Sequence, residues 1–91
     1  MYETTPSVYL KIAELLLAKI GTRDFFSGSV TLHDGDVECR LICTLVVSRE
    51  RHIPYCVVEL LPVWWEFSTI EGGVELLNDF SFQTLRTTIL G

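Results

Sequence analysis

Two clusters of residues could do chemistry in this sequence of 91 residues. His33, Asp34, Asp36 and Glu38 crowd the stretch HDGDVE, and the three cysteines, Cys39, Cys43 and Cys56, follow. Carboxylates beside a histidine suit a metal ion or a proton relay, and thiolates suit zinc. A calcium loop needs a longer series of oxygen ligands than HDGD supplies, however, and aspartate next to glycine between alternating residues signals a tight turn. Cys39 and Cys43 stand i and i+4, which on a strand separates their Cα atoms by about 13 Å, too far for one zinc ion. A Cys43 to Cys56 disulfide is geometrically conceivable but not favoured. The odd cysteine count, with no secretory leader pattern in MYETTPSVYLKIAELLLAKIG, implies reduced, buried thiols and a cytoplasmic setting.

The remaining ionisable residues form no catalytic constellation. His52 sits among arginines in RERH, a solvated turn, and Glu59 and Glu66 differ in parity, which places them on opposite faces of one strand. The nucleophile-elbow, Walker, dinucleotide and zinc-protease motifs are all lacking, and Gly72-Gly73 reads as a turn. The expectation is a protein that is not an enzyme and holds no cofactor or metal.

Composition narrows the partners. A net charge of −5 and a pI near 4.8 oppose attraction to nucleic-acid phosphates. The longest apolar run, residues 53–65, is broken by Pro54, Glu59 and Pro62 and falls short of the ~20 residues that cross a bilayer, so no membrane insertion is expected. Yet 48% of the residues are hydrophobic and the mean hydropathy is +0.35, a high value for a chain this small, which leaves apolar surface to be covered.

The elements that must position these residues follow from periodicity. Thr5 as N-cap, Pro6 in the first turn and Gly21 as stop frame a helix over residues 6–20, whose apolar stripe is Tyr9, Ile12, Ala13, Leu16, Leu17 and Ile20. A hairpin with Asp34-Gly35 at the centre of a type I′ turn opposes Leu32 to Val37, Val30 to Cys39, Gly28 to Leu41 and Phe26 to Cys43 on one apolar face. Its other face is polar, from Ser27 to Arg40, and becomes apolar only towards Ile42 and Val46. A polar turn at Glu50-Arg51 then leads to a third strand over residues 53–67, with Cys56, Val58, Leu60 and Trp64 inward. Glu59 points outward beside Ile42 and within reach of Arg40, because a buried unpaired carboxylate is costly. Pro62 lacks a donor and places this strand at an edge or in a bulge. A short hairpin around Glu71-Gly72-Gly73 comes next, and NDFSFQTLRTTILG, residues 78–91, closes the chain as a helix with Ser81 as N-cap and Phe82, Leu85 and Ile89 on one side or, alternatively, as a strand. The whole, residues 1–91, is one α+β domain: an N-terminal helix packed on a three- to four-stranded antiparallel β-meander, with a short C-terminal helix.

LPVWWEF carries the functional expectation. Adjacent side chains on a strand point to opposite faces, so the two tryptophans cannot share a core. With Trp64 inward, the outward face shows Ile53, Tyr55, Val57, Leu61, Val63, Trp65 and Phe67, an apolar patch of the kind that marks an interface. The reading is a protein-protein interaction module, forming a homodimer or binding another protein through Tyr55, Val57, Leu61, Val63, Trp65 and Phe67. A bulge at Pro62 would exchange the tryptophans, and the C-terminal helix could cover the face from within. The alternative function is binding of a small or lipid-like ligand in an aromatic cleft of Tyr55, Phe67 and one tryptophan, with Glu59 or Arg40 orienting its polar end.

Overall fold

Thr5, Pro6 and Gly21 bracket the first helix, α1 (Pro6–Ile20), as their chemistry dictates: the Thr5 hydroxyl accepts the Val8 N–H at 3.4 Å, and the Gly21 N–H returns to Leu17 O at 3.0 Å. The computed structural model describes residues 2–50 and 57–91. After α1 come β1 (Phe25–Asp34), β2 (Val37–Arg49), β3 (Val57–Glu71), β4 (Val74–Leu77) and α2 (Phe82–Leu90). The strands form one antiparallel sheet in the order β1-β2-β3-β4, and both helices pack against one of its faces. The expected α+β architecture is therefore observed, with α2 a helix rather than a strand.

One cluster of buried residues joins the layers. Val8, Tyr9, Ile12, Ala13, Leu16 and Ile20 of α1 meet Phe26, Val30 and Leu32 of β1, and Cys39, Leu41, Cys43, Leu45 and Val47 of β2. Val8 joins the expected stripe, while Leu17 is only half-buried. The Ser81 hydroxyl caps α2 by accepting the Thr84 N–H at 3.0 Å, and Phe82 and Leu85 complete the core. Tyr9 ties the helices together by accepting the Ser81 N–H at 3.0 Å on its phenol oxygen. Its ring lies 5.1 Å from Phe80, which in turn stacks on Phe67 at 5.0 Å.

The first hairpin differs from expectation in its turn. Asp34 faces Val37, so Gly35 and Asp36, rather than Asp34 and Gly35, are the central residues. Gly35 has φ +62°, and among the described residues none other than glycine has a positive φ. A type II′ geometry needs positive φ only at its first central position, which lets glycine take it and leaves Asp36 unstrained. Pairing consequently slides: His33 faces Glu38, Val30 faces Leu41, and Phe26 faces Leu45. The slip is by two residues, and because the side-chain period is also two, every residue keeps its expected face.

The third strand departs more deeply. Leu45 faces Pro62 but Thr44 faces Trp64, leaving Val63 as an extra residue, and Val58 is likewise extra between Glu59 and Val57. Each such bulge reverses which side chains point inward. Trp65 and Phe67 thus fall opposite Cys43 and Leu41 on the helix side, and Trp64 falls outward. Val58 and Trp64, expected inside, are exposed, whereas Phe67, expected outside, is buried and Val57 packs against the core. Cys56, Ile53 and Tyr55 lie outside the described residues. Pro62 stands immediately before the second bulge, as a residue without a backbone donor can on an edge strand.

The open sheet face as candidate functional site

The sheet face away from the helices is organised in cross-strand rows. At one end Phe25, Val46 and Leu61 face one another in a line across three strands. The next row is Ser27, Thr44 and Trp64, with the Ser27 and Thr44 hydroxyls 2.9 Å apart. Phe25, Val46, Leu61 and Trp64 are 55%, 41%, 52% and 49% exposed, so no element of the described structure covers them. Val63, on its bulge beside Trp64, is more exposed still. At the other end charged groups enter the rows, with Ile70 and an exposed Leu77 among them: Arg40 lies 3.1 Å from Glu38 and 3.8 Å from Glu75, and His33 faces Glu38.

Of the residues expected at an interface, Leu61 and Val63 are on the surface, Phe67 is in the core, Val57 is half-buried against it, and Tyr55 lies outside the described residues. Trp65 is turned to the helix side, where its ring lies 5.3 Å from Phe82, although part of it remains exposed. Phe25, Val46 and Trp64 were not among those expected. Val46 and Phe25 follow from the alternation in β1 and β2, whereas Trp64 required the bulge.

A second feature lies between β3 and α2. A cleft of about 370 Å³ is lined by Trp65, Phe82, Leu60, Pro62, Glu59 and Arg86, among others. Arg86 clasps the Glu59 carboxylate with two donors, Nε to Oε1 and Nη2 to Oε2 at 2.7 Å, and Glu59 Oε1 also accepts the Leu60 N–H at 3.0 Å. These hydrogen bonds, Arg86 first, hold the Glu59 carboxyl below its ordinary range. Glu59 is thus not beside Ile42 and Arg40: it faces Ser48, and Glu66 faces Ile42. The bulge brings Glu59 and Glu66 to one register face instead of opposite faces, but Arg86 occupies Glu59. Of the expected ligand cleft, then, Trp65 and Glu59 come together, and Phe67 and Arg40 lie elsewhere.

A wider groove of about 830 Å³ runs between the N-terminal segment and β4, past Tyr2, Val37, Thr69, Val74, Leu76 and Asn78. The Tyr2 hydroxyl donates to Asp34 Oδ2 at 2.8 Å, and burial, with Cys39 and Asp34 nearby, raises its pKa well above the usual phenol range. Cys39 and Cys43 are buried free thiols facing α1; burial raises the pKa of both, that of Cys43 to about 11, which keeps them protonated and unreactive. Among the described residues no three histidine, cysteine or acidic side chains gather as metal ligands, and no helix is long and apolar enough to cross a membrane. Fold and site together define a two-layer α+β protein with two helices on one sheet face and an apolar row on the other. No protein-family model, curated protein or solved structure matches the chain.

Proposed function

We propose that this chain is a non-catalytic interaction module that self-associates by packing its open sheet face on that of a second copy. The observation that carries this reading is the uncovered row of Phe25, Val46 and Leu61 with Trp64 beside it. Two such faces stack about 10 Å apart with their strands near −30°, each sheet's twist bringing the apolar rows together. Trp64 is the anchor in this arrangement, a large rigid group beside the apolar row. The polar end, where Arg40 bridges Glu38 and Glu75, forms the wet rim. The reduced thiols suit a cytoplasmic location.

Light scattering on the parent protein should give the mass of two chains, and Leu61→Glu should give the mass of one with an unchanged circular dichroism spectrum. A parent that is monomeric at every concentration would end this reading. A second reading, ligand binding, draws on the cleft where Trp65 and Phe82 meet beside the Glu59 and Arg86 pair. It predicts that an apolar fluorophore such as anilinonaphthalene sulfonate quenches Trp65 emission without changing the mass, an effect that Trp65→Phe removes.

A further inference from the structure

The sheet has two long free edges, and they are built differently. β4 pairs with β3 only from Ser68 to Glu71, so the rest of β3 is an edge. That edge is blunted: Glu59 Oε1 takes the outward Leu60 N–H, Pro62 has no N–H, Val63 bulges, and Phe67 O accepts the Asn78 N–H at 3.0 Å. Among the described residues β1 meets no proline, bulge or further strand pairing over its ten residues, and Lys19 Nζ touches its edge at the Ser29 carbonyl.

The groups that β1 presents can be assigned. A two-residue hairpin loop is closed by a hydrogen-bonded pair, here Asp34 and Val37, and alternation then turns Ser27, Ser29, Thr31 and His33 away from β2. The close Ser27 and Thr44 hydroxyls fit a non-hydrogen-bonded pair, and Lys19 Nζ reaches the Ser29 carbonyl at 2.7 Å from outside. That carbonyl keeps a second lone pair for another donor. Leu15 and Lys11 lie one and two turns before Lys19, on the same flank of α1, and both are exposed. The flank above the β1 edge therefore reads Lys11, Leu15, Lys19, with about 6 Å between successive residues, close to the ~6.7 Å between alternate residues of a strand.

We propose that the free edge of β1 receives an added strand from a partner protein, an extended segment with an apolar residue between two carboxylates at alternate positions. Backbone hydrogen bonds to Ser27, Ser29 and Thr31 hold the segment, its apolar residue meets Leu15, and its carboxylates meet Lys11 and Lys19. A second copy of β1 fits this edge less well. Antiparallel pairing about a two-fold axis would set α1 beside its mate with Lys11 opposite the mate's Lys19, like charge against like.

The synthetic peptide TVETLTETV and its basic counterpart TVKTLTKTV test this by amide hydrogen exchange. The acidic peptide should slow exchange at Ser27, Ser29 and Thr31, and bind about tenfold more tightly than the basic one, the worth of two charge pairs. Ser29→Pro, which removes an outward donor at an edge where proline is tolerated, should abolish the effect without altering the dichroism spectrum. The double variant Lys11→Glu with Lys19→Glu should reverse the preference between peptides, an outcome that mere structural damage would not produce. Unprotected β1 amides at peptide saturation, or equal affinity for both peptides, would overturn the proposal. So would concentration-dependent protection of those amides without peptide, which would place a second copy on the edge.

Discussion

Trp64 and Trp65 are neighbours in the chain and face opposite surroundings. Trp65 lies opposite Cys43 on the helix side, against Phe82 and still 40% exposed; Trp64 lies opposite Thr44 on a face that nothing described covers. The same contrast separates Phe67, buried against Phe80, from Leu61, which stands in the exposed row. Composition does not distinguish these positions, since all four are large and apolar. What distinguishes them is one extra residue, Val63, which reverses the phase of the strand between Leu61 and Phe67. Hydrophobicity on this strand therefore serves two purposes, core formation on one face and a surface patch on the other, with the parity that selects the face reversed at Val63.

The sharpest way to break the contrast is at Phe67 and Leu61. Phe67→Ala opens a cavity under Phe80 and should cost about 3 to 5 kcal/mol, a large part of the total stability of so small a protein. Leu61→Ala should change the stability of the monomer by less than about 0.5 kcal/mol and act on association instead. Chemical denaturation of both variants, at a concentration where the parent is monomeric, checks the difference. Equal losses would mean that the open face is covered. The tryptophans form the next pair: both are about half exposed, and Trp65→Ala should cost about 0.5 to 1.5 kcal/mol more than Trp64→Ala because it also loses the contact with Phe82. At the first turn, Gly35→Val forces a β-branched residue to φ +62° and should cost about 1 to 2 kcal/mol, whereas Asp36→Ala, with no positive φ to adopt, should cost less. Comparable melting temperatures for these two variants would contradict the turn geometry.

These positions also show why parts of the fold are legible in the sequence and others are not. α1 carries redundant signals, Thr5 and Pro6 at its start, Gly21 at its end and a 3.6-residue stripe between them, and its ends match the expectation. The β1 and β2 pairing lies two residues from the register that an Asp34-Gly35 turn predicts, yet every face is as expected because an even slip leaves parity unchanged. β3 offered one signal, Pro62, which permits a bulge without stating on which side of it the phase changes. Parity alone places Trp65 and Phe67 outward and Trp64 inward, whereas Phe67 is buried, Trp64 is exposed, and Trp65 turns to the helix side while staying partly exposed. For the candidate site, Leu61 lies before the change and kept its face. Phe25 was legible from β1 alternation, because Phe26 is inward and its neighbour must be outward.

The smallest expected effect concerns the two ways of closing the β3 edge, by proline and by charge. Pro62 blocks strand addition at any pH, but the cover supplied by Glu59 and Arg86 depends on the ionised carboxylate. The folded state holds the Glu59 pKa below its unfolded value, so the unfolded chain binds the proton first as pH falls. The stabilisation is complete above the unfolded pKa, near pH 4.5, and is lost as pH drops through the lower folded value. Both groups are solvent-facing and share the pair with water and salt, so the change in stability should be small and should shrink further at high ionic strength. A more direct readout is the Leu60 amide, whose proton is held by Glu59 Oε1. Its hydrogen exchange, corrected for the intrinsic pH dependence, should accelerate in the parent only as pH falls through the lowered folded-state value of Glu59, and Glu59→Ala should show the fast rate at every pH. If the Leu60 amide stays protected in Glu59→Ala, the edge is closed by something other than this carboxylate, and the difference between the β1 and β3 edges rests on Pro62 and the bulge alone.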